Sequence, residues 1–350
     1  MGDSIMRDSG QDGIAAYYGE VLQGRHELQT GACCAPEDLS ARRKKLLDLI
    51  VPEIRSRFYG CGSPLPPAIK GCRVLDLGCG SGRDVYLASA LVGAQGSVIG
   101  VDMSEGQLAV AQRHRRFQAW RFGYDESNVS FRLGRMEDLA ALGIADGSQD
   151  VVISNCVINL SPQKERVLAE IARVLKPGGE LLFSDVFADR RVSASWSANP
   201  VLRNECLAGA LYYQDFRRMM AQAGWPDFRV VSRRRAMIDN AGIEAQIGAV
   251  VFESLTVRAF KLTQLEDRCE NYGQRAVYLG TLDEHPDRFA LDADHVFAAG
   301  EEVPVCGNTA AMLSETRFGR YFDIVGDRSH HYGLFDCQPS PQAAVARACC

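Results

Sequence analysis

Short apolar runs alternate with helical patterns of apolar residues along most of the chain, from about residue 72 to residue 262. The runs predict strands at residues 73–77, 97–102, 129–133, 150–155 and 179–187. Helices are predicted between them at about 84–91, from Ser104 onward, and from Ser161 to Lys176. This alternation is typical of an α/β domain with a mainly parallel sheet.

The pattern changes at residues 189–214, where a Ser-rich stretch and a short apolar segment interrupt the alternation. A helix at 215–223 and an antiparallel strand pair at 228–238 and 250–262 then complete a sheet of seven strands. Beyond residue 263, short strands and turns predict a separate small domain. The units expected are an N-terminal segment 1–71, a core domain 72–262 with the insertion 189–214, a small C-terminal domain 263–326 and a flexible cysteine-containing tail 327–350.

Composition and charge exclude several classes of protein. Of the 350 residues, 46% are hydrophobic and 24% charged, which is the balance of an ordinary globular chain. The net charge of -5 gives no basic surface for nucleic acid. No apolar run approaches the roughly 20 residues that span a bilayer, and the polar start lacks the apolar core of a signal peptide. We therefore expect a soluble cytoplasmic monomer without nucleic-acid or membrane partners.

The chain contains twelve cysteines, a high number for a protein without an export signal. In a reducing compartment these residues stay thiols. This favours a catalytic role or the binding of a soft metal over structural disulfides. None of them has the C-x2-C or C-x4-C spacing of a zinc site, so structural zinc is disfavoured. A single buried thiol is also an ordinary small hydrophobic residue, and each cysteine must be judged against that alternative.

A glycine-rich turn follows the first predicted strand, with Gly78, Gly80 and Gly82 spaced G-x-G-x-G after Asp76. A dinucleotide-binding turn places glycine at the sixth position, but Arg83 stands there. The segment resembles the first motif of S-adenosylmethionine-dependent methyltransferases with the Rossmann-like class I fold. The resemblance implies S-adenosylmethionine as the cofactor and these glycines and Asp76 among its ligands.

The remaining cofactor candidates lie at strand ends or before the first strand: Tyr59, Asp102, Met103, Met136, Glu137 and Asn155. Asp102 ends the second strand, where a carboxylate meets the ribose hydroxyls of a nucleoside in this kind of fold. Asn155 ends the fourth strand, beside the expected position of the reacting methyl group. Tyr59 offers an aromatic face that stabilises a cation such as a sulfonium, although ordinary packing explains it equally well.

Three cysteines lie where a substrate approaches such a fold. Cys156 follows Asn155 at the end of the fourth strand, Cys206 lies in the insertion, and Cys61 lies on the segment that leads into the core domain. Three converging thiolates form a soft trigonal site that suits thiophilic centres rather than magnesium or calcium.

The chain closely resembles the arsenite S-adenosylmethionine methyltransferases from about residue 15 to residue 322. The matching stretches include YYGEVL at 17–22, YGCG at 59–62, SNCVINL at 154–160, FSDV at 183–186 and ECLAGALY at 205–212. Shorter matches, FALD at 289–292 and TAAML at 309–313, lie in the predicted small domain. The resemblance implies methylation of arsenite and then methylarsenite, in arsenic detoxification.

Carried over by motif, Cys33, Cys61, Cys156 and Cys206 resemble the functional cysteines of this family. The last three correspond to the arsenic-binding set and Cys33 to an N-terminal redox cysteine. A disulfide between enzyme thiols would return arsenic to the trivalent state, with Cys33 and Cys61 as the first pairing to consider, and thioredoxin or glutathione would reduce the enzyme. Because Cys33 and Cys34 are adjacent, Cys34 could share its role.

Two other functions stay open on the sequence alone. One is methylation of a carbon or oxygen atom of a small molecule, with incidental cysteines. The other is non-catalytic binding of a metalloid by thiols. Structural roles are expected for Cys72, Cys269 and Cys306, and no metal site is expected where His330 and His331 lie near Cys337. The adjacent Cys349 and Cys350 either capture arsenic or are part of an inert tail.

Overall fold

The structure, a computed structural model, describes residues 9–22, 27–32 and 39–337. Its α-helices are α1 Ser9–Ala16, α2 Ala41–Asp48, α3 Pro52–Ser56, α4 Arg83–Val92, α5 Glu105–Arg113, α6 Arg115–Arg121, α7 Lys164–Val174, α8 Pro200–Asn204, α9 Tyr213–Gln222, α10 Ala241–Ile247 and α11 Gly307–Ser314. Its strands are β1 Arg73–Leu77, β2 Ser97–Asp102, β3 Val129–Leu133, β4 Gln149–Asn155, β5 Leu175–Ala188, β6 Leu211–Tyr212, β7 Arg229–Arg235, β8 Phe252–Phe260, β9 Arg275–Tyr278, β10 Arg288–Ala290, β11 Val296–Ala298, β12 Glu302–Pro304 and β13 Phe322–Val325.

The central sheet has the order β3-β2-β1-β4-β5-β8-β7, with the short β6 beside β5. The pairs from β3 to β5 are parallel, and β8 is antiparallel to both β5 and β7. The expected α/β fold with a mainly parallel seven-stranded sheet is confirmed, and β6 adds one short strand that the sequence did not indicate.

Alternating strand residues cover the two faces of the sheet, as the pleat requires. Leu75 and Val152 pack in the apolar cluster that includes α7 and α9. Val74 and Val151 face the opposite cluster, which includes α4 and α5. Since the strands are buried on both faces, they appear in the sequence as continuous apolar runs.

Local boundaries differ from the prediction at two places. The helix expected from Ser161 begins at Lys164, because the Ser161 hydroxyl donates to Glu137 at 2.5 Å and accepts from the amide of Gln163. The long helix that Ser104 caps ends at Arg113, and α6 follows as a separate helix. None of the helices in the described part of the chain is long and apolar enough to cross a bilayer.

The C-terminal region forms a three-stranded antiparallel sheet, β12-β9-β13, a two-stranded ladder, β10-β11, and the helix α11 around their own apolar core. Residues 327–337 differ from the flexible tail that was expected. Backbone hydrogen bonds join Asn271 to Gly333 and Tyr332, and Cys269 to Phe335. Residues 338–350, including Cys349 and Cys350, lie outside the described residues.

Candidate functional site

The glycine turn connects β1 to α4 and has a backbone that only glycine adopts without strain. Gly78 and Gly82 have φ values of 70° and 87°. A Cβ atom on Gly78 would lie 2.3 Å from Val157, and one on Gly82 would lie 3.2 Å from Ala111 and Phe131. The turn therefore brings bare backbone to the carboxyl end of the sheet.

Asp102, at the end of β2, holds this turn in place. Its Oδ2 accepts from the backbone N–H of Gly80 at 2.7 Å and its Oδ1 from that of Ser104 at 2.8 Å. Burial raises the pKa of Asp102, against the opposing effect of these backbone donors. The carboxylate is thus a fixed acceptor at the edge of the turn.

The turn opens onto a cavity at the carboxyl ends of β1, β2 and β4. The predicted cofactor residues that line it are Tyr59, Asp76, Gly78, Gly80, Asp102, Met103, Met136, Glu137 and Asn155. Gly82 does not line the cavity, because it precedes α4 and packs against α5 and β3. Burial, together with the nearby carboxylates of Asp84 and Asp102, raises the pKa of Asp76 well above its usual value.

Two buried polar atoms in the cavity wall have no hydrogen-bond partner among the described residues. They are the hydroxyl oxygen of Tyr59 and Oε1 of Gln107. Buried polar atoms are rarely left unpaired in folded proteins. The two atoms, the bare glycine backbone and the acidic edge together suit a ligand with hydroxyl and amino groups.

Cys156, Cys206 and Asp185 meet at one end of this cavity. The two sulfur atoms and a carboxylate oxygen of Asp185 lie within 4.8 Å of one another. Cys156 also lines the cavity, and the Cys206 thiol donates to the backbone oxygen of Cys156 at 3.1 Å. Burial raises the pKa of Asp185 to about 7, against the opposing effect of the amides of Asn159 and Val186 and of Lys164.

Cys61 joins this group through a disulfide bond to Cys156, with the Cα atoms 5.9 Å apart. Asn155 positions the Cys61 segment: its Oδ1 accepts from the Cys61 amide at 3.1 Å, and its Nδ2 donates to Gly62 at 2.8 Å. Ser254 donates to the Cys61 carbonyl at 2.6 Å. The three cysteines predicted to converge are therefore brought together, two of them as a disulfide.

Two protein families and several known proteins match long stretches of this chain. Residues 69–224 match the family described as a methyltransferase domain, and residues 271–348 match the arsenite methyltransferase C-terminal domain. An arsenite methyltransferase of Aquipseudomonas alcaligenes is 48% identical over 346 residues, which are 97% of this chain and 99% of the relative. The arsenite methyltransferase of Mus musculus is 42% identical over 323 residues, which are 91% of this chain and 83% of the relative.

This chain belongs to the arsenite methyltransferase family. The crystal structure of CrArsM from Chlamydomonas reinhardtii, described as an arsenic(III) S-adenosylmethionine methyltransferase, superposes with a TM-score of 0.82. That protein is 47% identical, and the match covers 85% of this chain and all of the other. The resemblance inferred from the sequence motifs is confirmed.

The disulfide in this arsenite methyltransferase differs from the pairing considered first. Cys61 is bonded to Cys156, and Asn155 holds the Cys61 segment beside the end of β4. Cys33 and Cys34 lie outside the described residues. The separate roles of the four cysteines, and those of the cofactor residues, stay predictions.

The residues that cover the cavity were not among those predicted from the sequence. Tyr18 lines it, packs on Tyr59 with the ring centroids 5.3 Å apart, and accepts at its carbonyl from Gln107 at 2.5 Å. The Tyr18 hydroxyl donates to the carbonyl of Asn204 in the insertion at 2.7 Å. The matching stretch at 17–22 marked these tyrosines as family residues but gave no indication of what they contact.

Glu205 is a second missed residue, next to Cys206 and fully buried. Its carboxylate accepts from Tyr17, from the amide of Gln29, and from both the amide and the hydroxyl of Thr30, at 2.6–2.9 Å. This carboxylate ties the N-terminal segment to the insertion, and so joins the cover of the cavity to the cysteine group.

Proposed function

We propose that this protein transfers the methyl group of S-adenosylmethionine to trivalent arsenic held by cysteine thiolates, acting on arsenite and then on methylarsenite. One observation carries the proposal. Cys156 belongs to the cavity wall and also to the group that contains Cys206 and Cys61. Arsenic bound to the Cys156 sulfur would therefore face a ligand held in the cavity.

The residues of the cavity fit S-adenosylmethionine. The bare turn at Gly78 and Gly80 admits the amino-acid end of a ligand, and Asp102 offers a fixed acceptor for hydroxyl groups. The unpaired hydroxyl of Tyr59 and Oε1 of Gln107 are available to polar atoms of the ligand. When bound, S-adenosylmethionine supplies an electrophilic methyl group on a positively charged sulfur.

The thiolates would orient the substrate rather than activate a nucleophile. Trivalent arsenic already carries a lone pair, so no general base is needed to create one. Exchange of its hydroxide ligands for the sulfurs of Cys156, Cys206 and reduced Cys61 would fix the direction of that lone pair. Catalysis would then come from proximity and orientation.

Methyl transfer formally removes two electrons from arsenic, and the enzyme thiols would return them. Two thiols that become a disulfide release two electrons and two protons. The bond between Cys61 and Cys156 supports this step, because it joins two members of the arsenic-binding group. Thioredoxin or glutathione would then reduce the disulfide by thiol exchange. A cytoplasmic location, where such reductants act, remains a prediction.

The test is product speciation by mass spectrometry after incubation with arsenite, S-adenosylmethionine and a thiol reductant. Methylated arsenic is expected from the wild type and not from Cys206→Ser. Cys72→Ser is the matched control, since Cys72 is half-buried and does not belong to the group that Cys156 and Cys206 form with Asp185. Methylation of phenols or quinones without arsenite would favour the carbon or oxygen methyltransferase, and bound arsenic without any methylated product would favour a binding protein.

A further inference from the structure

Three cysteines of the C-terminal region meet outside the site described above. Cys269 lies between β8 and β9, Cys306 directly precedes α11, and Cys337 lies at the end of the described chain. Their sulfur atoms lie within 4.8 Å of one another. Structural roles were expected for the first two and none for the third, since their spacing matches no metal-binding motif.

The backbone brings these three segments together. Phe335 donates from its amide to the carbonyl of Cys269 at 2.8 Å, and Gly307 donates to the carbonyl of Glu270 at 2.9 Å. Each hydrogen bond involves a residue within two positions of one of the cysteines. The convergence of the sulfurs therefore follows from the fold of the segments and not only from the direction of single side chains.

The three sulfurs differ in their access to solvent. Cys306 is buried, and its Sγ accepts from the amide of Thr309 at 3.4 Å as the cap of α11. Cys269 is half-buried and Cys337 is exposed. Core packing explains the burial of Cys306 but not a cysteine at the exposed position 337, whose sulfur meets solvent beside the other two.

We propose that Cys269, Cys306 and Cys337 form a second binding site for trivalent arsenic, separate from the one at Cys156. Soft thiophilic centres prefer sulfur ligands, and trivalent arsenic uses three of them because a lone pair takes its fourth position. Within the described residues, no further cysteine, histidine or carboxylate joins the group at this distance. Structural zinc takes four ligands, so the three sulfurs found in the described part of the chain favour arsenic.

Binding at this site needs no oxidant or reductant. Three S–H bonds and three As–O bonds of arsenous acid break, three As–S bonds form, and the protons leave with the hydroxides as three water molecules. The product carries no net charge, so the half-buried site needs no counter-ion. The site does not depend on the roles proposed for Cys61, Cys156 and Cys206.

The test isolates the site in the full-length chain. A background variant replaces Cys33, Cys34, Cys61, Cys156, Cys206, Cys349 and Cys350 by Ser and keeps the three cysteines, with Cys72 and Cys79 as isolated thiols. After incubation with arsenite and gel filtration, elemental mass spectrometry is expected to find about one arsenic per chain, with three sulfur neighbours by X-ray absorption. Adding Cys306→Ser is expected to remove the bound arsenic, whereas adding Cys72→Ser is not.

Cys306→Ser keeps the helix cap, because a serine hydroxyl accepts the same amide hydrogen bond. Cys337→Ser in the wild-type chain is a second variant, at an exposed position where folding is not at risk, and it is expected to lower bound arsenic by one equivalent while methylation continues. Absence of arsenic from the background variant, or its retention after Cys306→Ser, would overturn the proposal. So would stoichiometric zinc binding that excludes arsenic.

Discussion

Glu205→Gln is expected to loosen the cover of the cavity without unfolding the protein. The wild-type Oε1 accepts from the Tyr17 hydroxyl and the Gln29 amide, and Oε2 accepts from the amide and the hydroxyl of Thr30. A glutamine places its NH2 group against the backbone N–H of Gln29 or of Thr30, whichever way its amide is turned. That hydrogen bond to a charged acceptor is lost, the hydroxyl beside it has to turn and accept from the NH2 group, and the other two bonds weaken.

The expected magnitude follows from that lost bond. At about 1.5–3 kcal/mol for a hydrogen bond to a charged group, docking of residues 27–32 weakens by about 1.5–3 kcal/mol. Amide hydrogen exchange of Gln29 and Thr30 should then rise by a factor on the order of 10–10², up to the rate of the open segment. The partners of Glu205 named above lie outside β1 and β4, so exchange in these two strands should stay as in the wild type.

The assay is hydrogen exchange read by mass spectrometry, combined with steady-state kinetics. Because Tyr17 bonds Glu205 and Tyr18 lines the cavity, the KM for S-adenosylmethionine should rise more than kcat falls. Glu126→Gln is the matched control, since Glu126 is exposed. Unchanged exchange at Gln29 and Thr30 in a folded Glu205→Gln protein would refute the idea that this carboxylate holds the cover.

Three further predictions address the cofactor, the thiols and acid stability. Asp102→Ala should raise the dissociation constant of S-adenosylmethionine about tenfold or more in calorimetry, because a hydrogen bond to a charged acceptor is worth about 1.5–3 kcal/mol; an unchanged constant would remove Asp102 from the cofactor site. Cys206→Ser should abolish methylation of both arsenite and methylarsenite in product speciation, whereas Cys61→Ser should spare methylarsenite, which needs fewer protein sulfurs; equal losses would contradict this division. Burial opposes ionisation of Asp292, but His295 and Arg229 outweigh it and lower its pKa to about 2. Its stabilisation of about 2 kcal/mol is thus present above pH 4 and lost as the pH falls through 2, so the gap in unfolding free energy between wild type and Asp292→Asn should narrow over that range.

The fold was predictable because its signals are local. Buried parallel strands appear as continuous apolar runs, and the turn at Gly78 follows the first of them directly. The start of α7 was not predictable, since Ser161 looks like a helix cap but bonds Glu137, which is distant in sequence. A local pattern gives no information about such a partner.

The site shows the same limit. Motif and topology indicated that Cys61, Cys156 and Cys206 converge, but not which two are bonded, since that depends on how Asn155 holds the Cys61 segment. The partners of Glu205 lie at least 175 residues away along the chain. No spacing rule could find them, nor could one find the cysteine group of the C-terminal region.

The backbone at two of the cysteines gives a further reason to assign them a function. Cys156 and Cys206 have φ values of 56° and 67°, in the left-handed region that costs a non-glycine residue about 1–2 kcal/mol. Glycine would adopt this conformation with less strain. The backbone conformation therefore does not explain why cysteine stands at either position. Strain of this kind persists where the surroundings impose it, and it is common at functional sites. Serine carries the same backbone cost as cysteine, so a Cys→Ser change at these positions isolates the contribution of sulfur from that of the conformation.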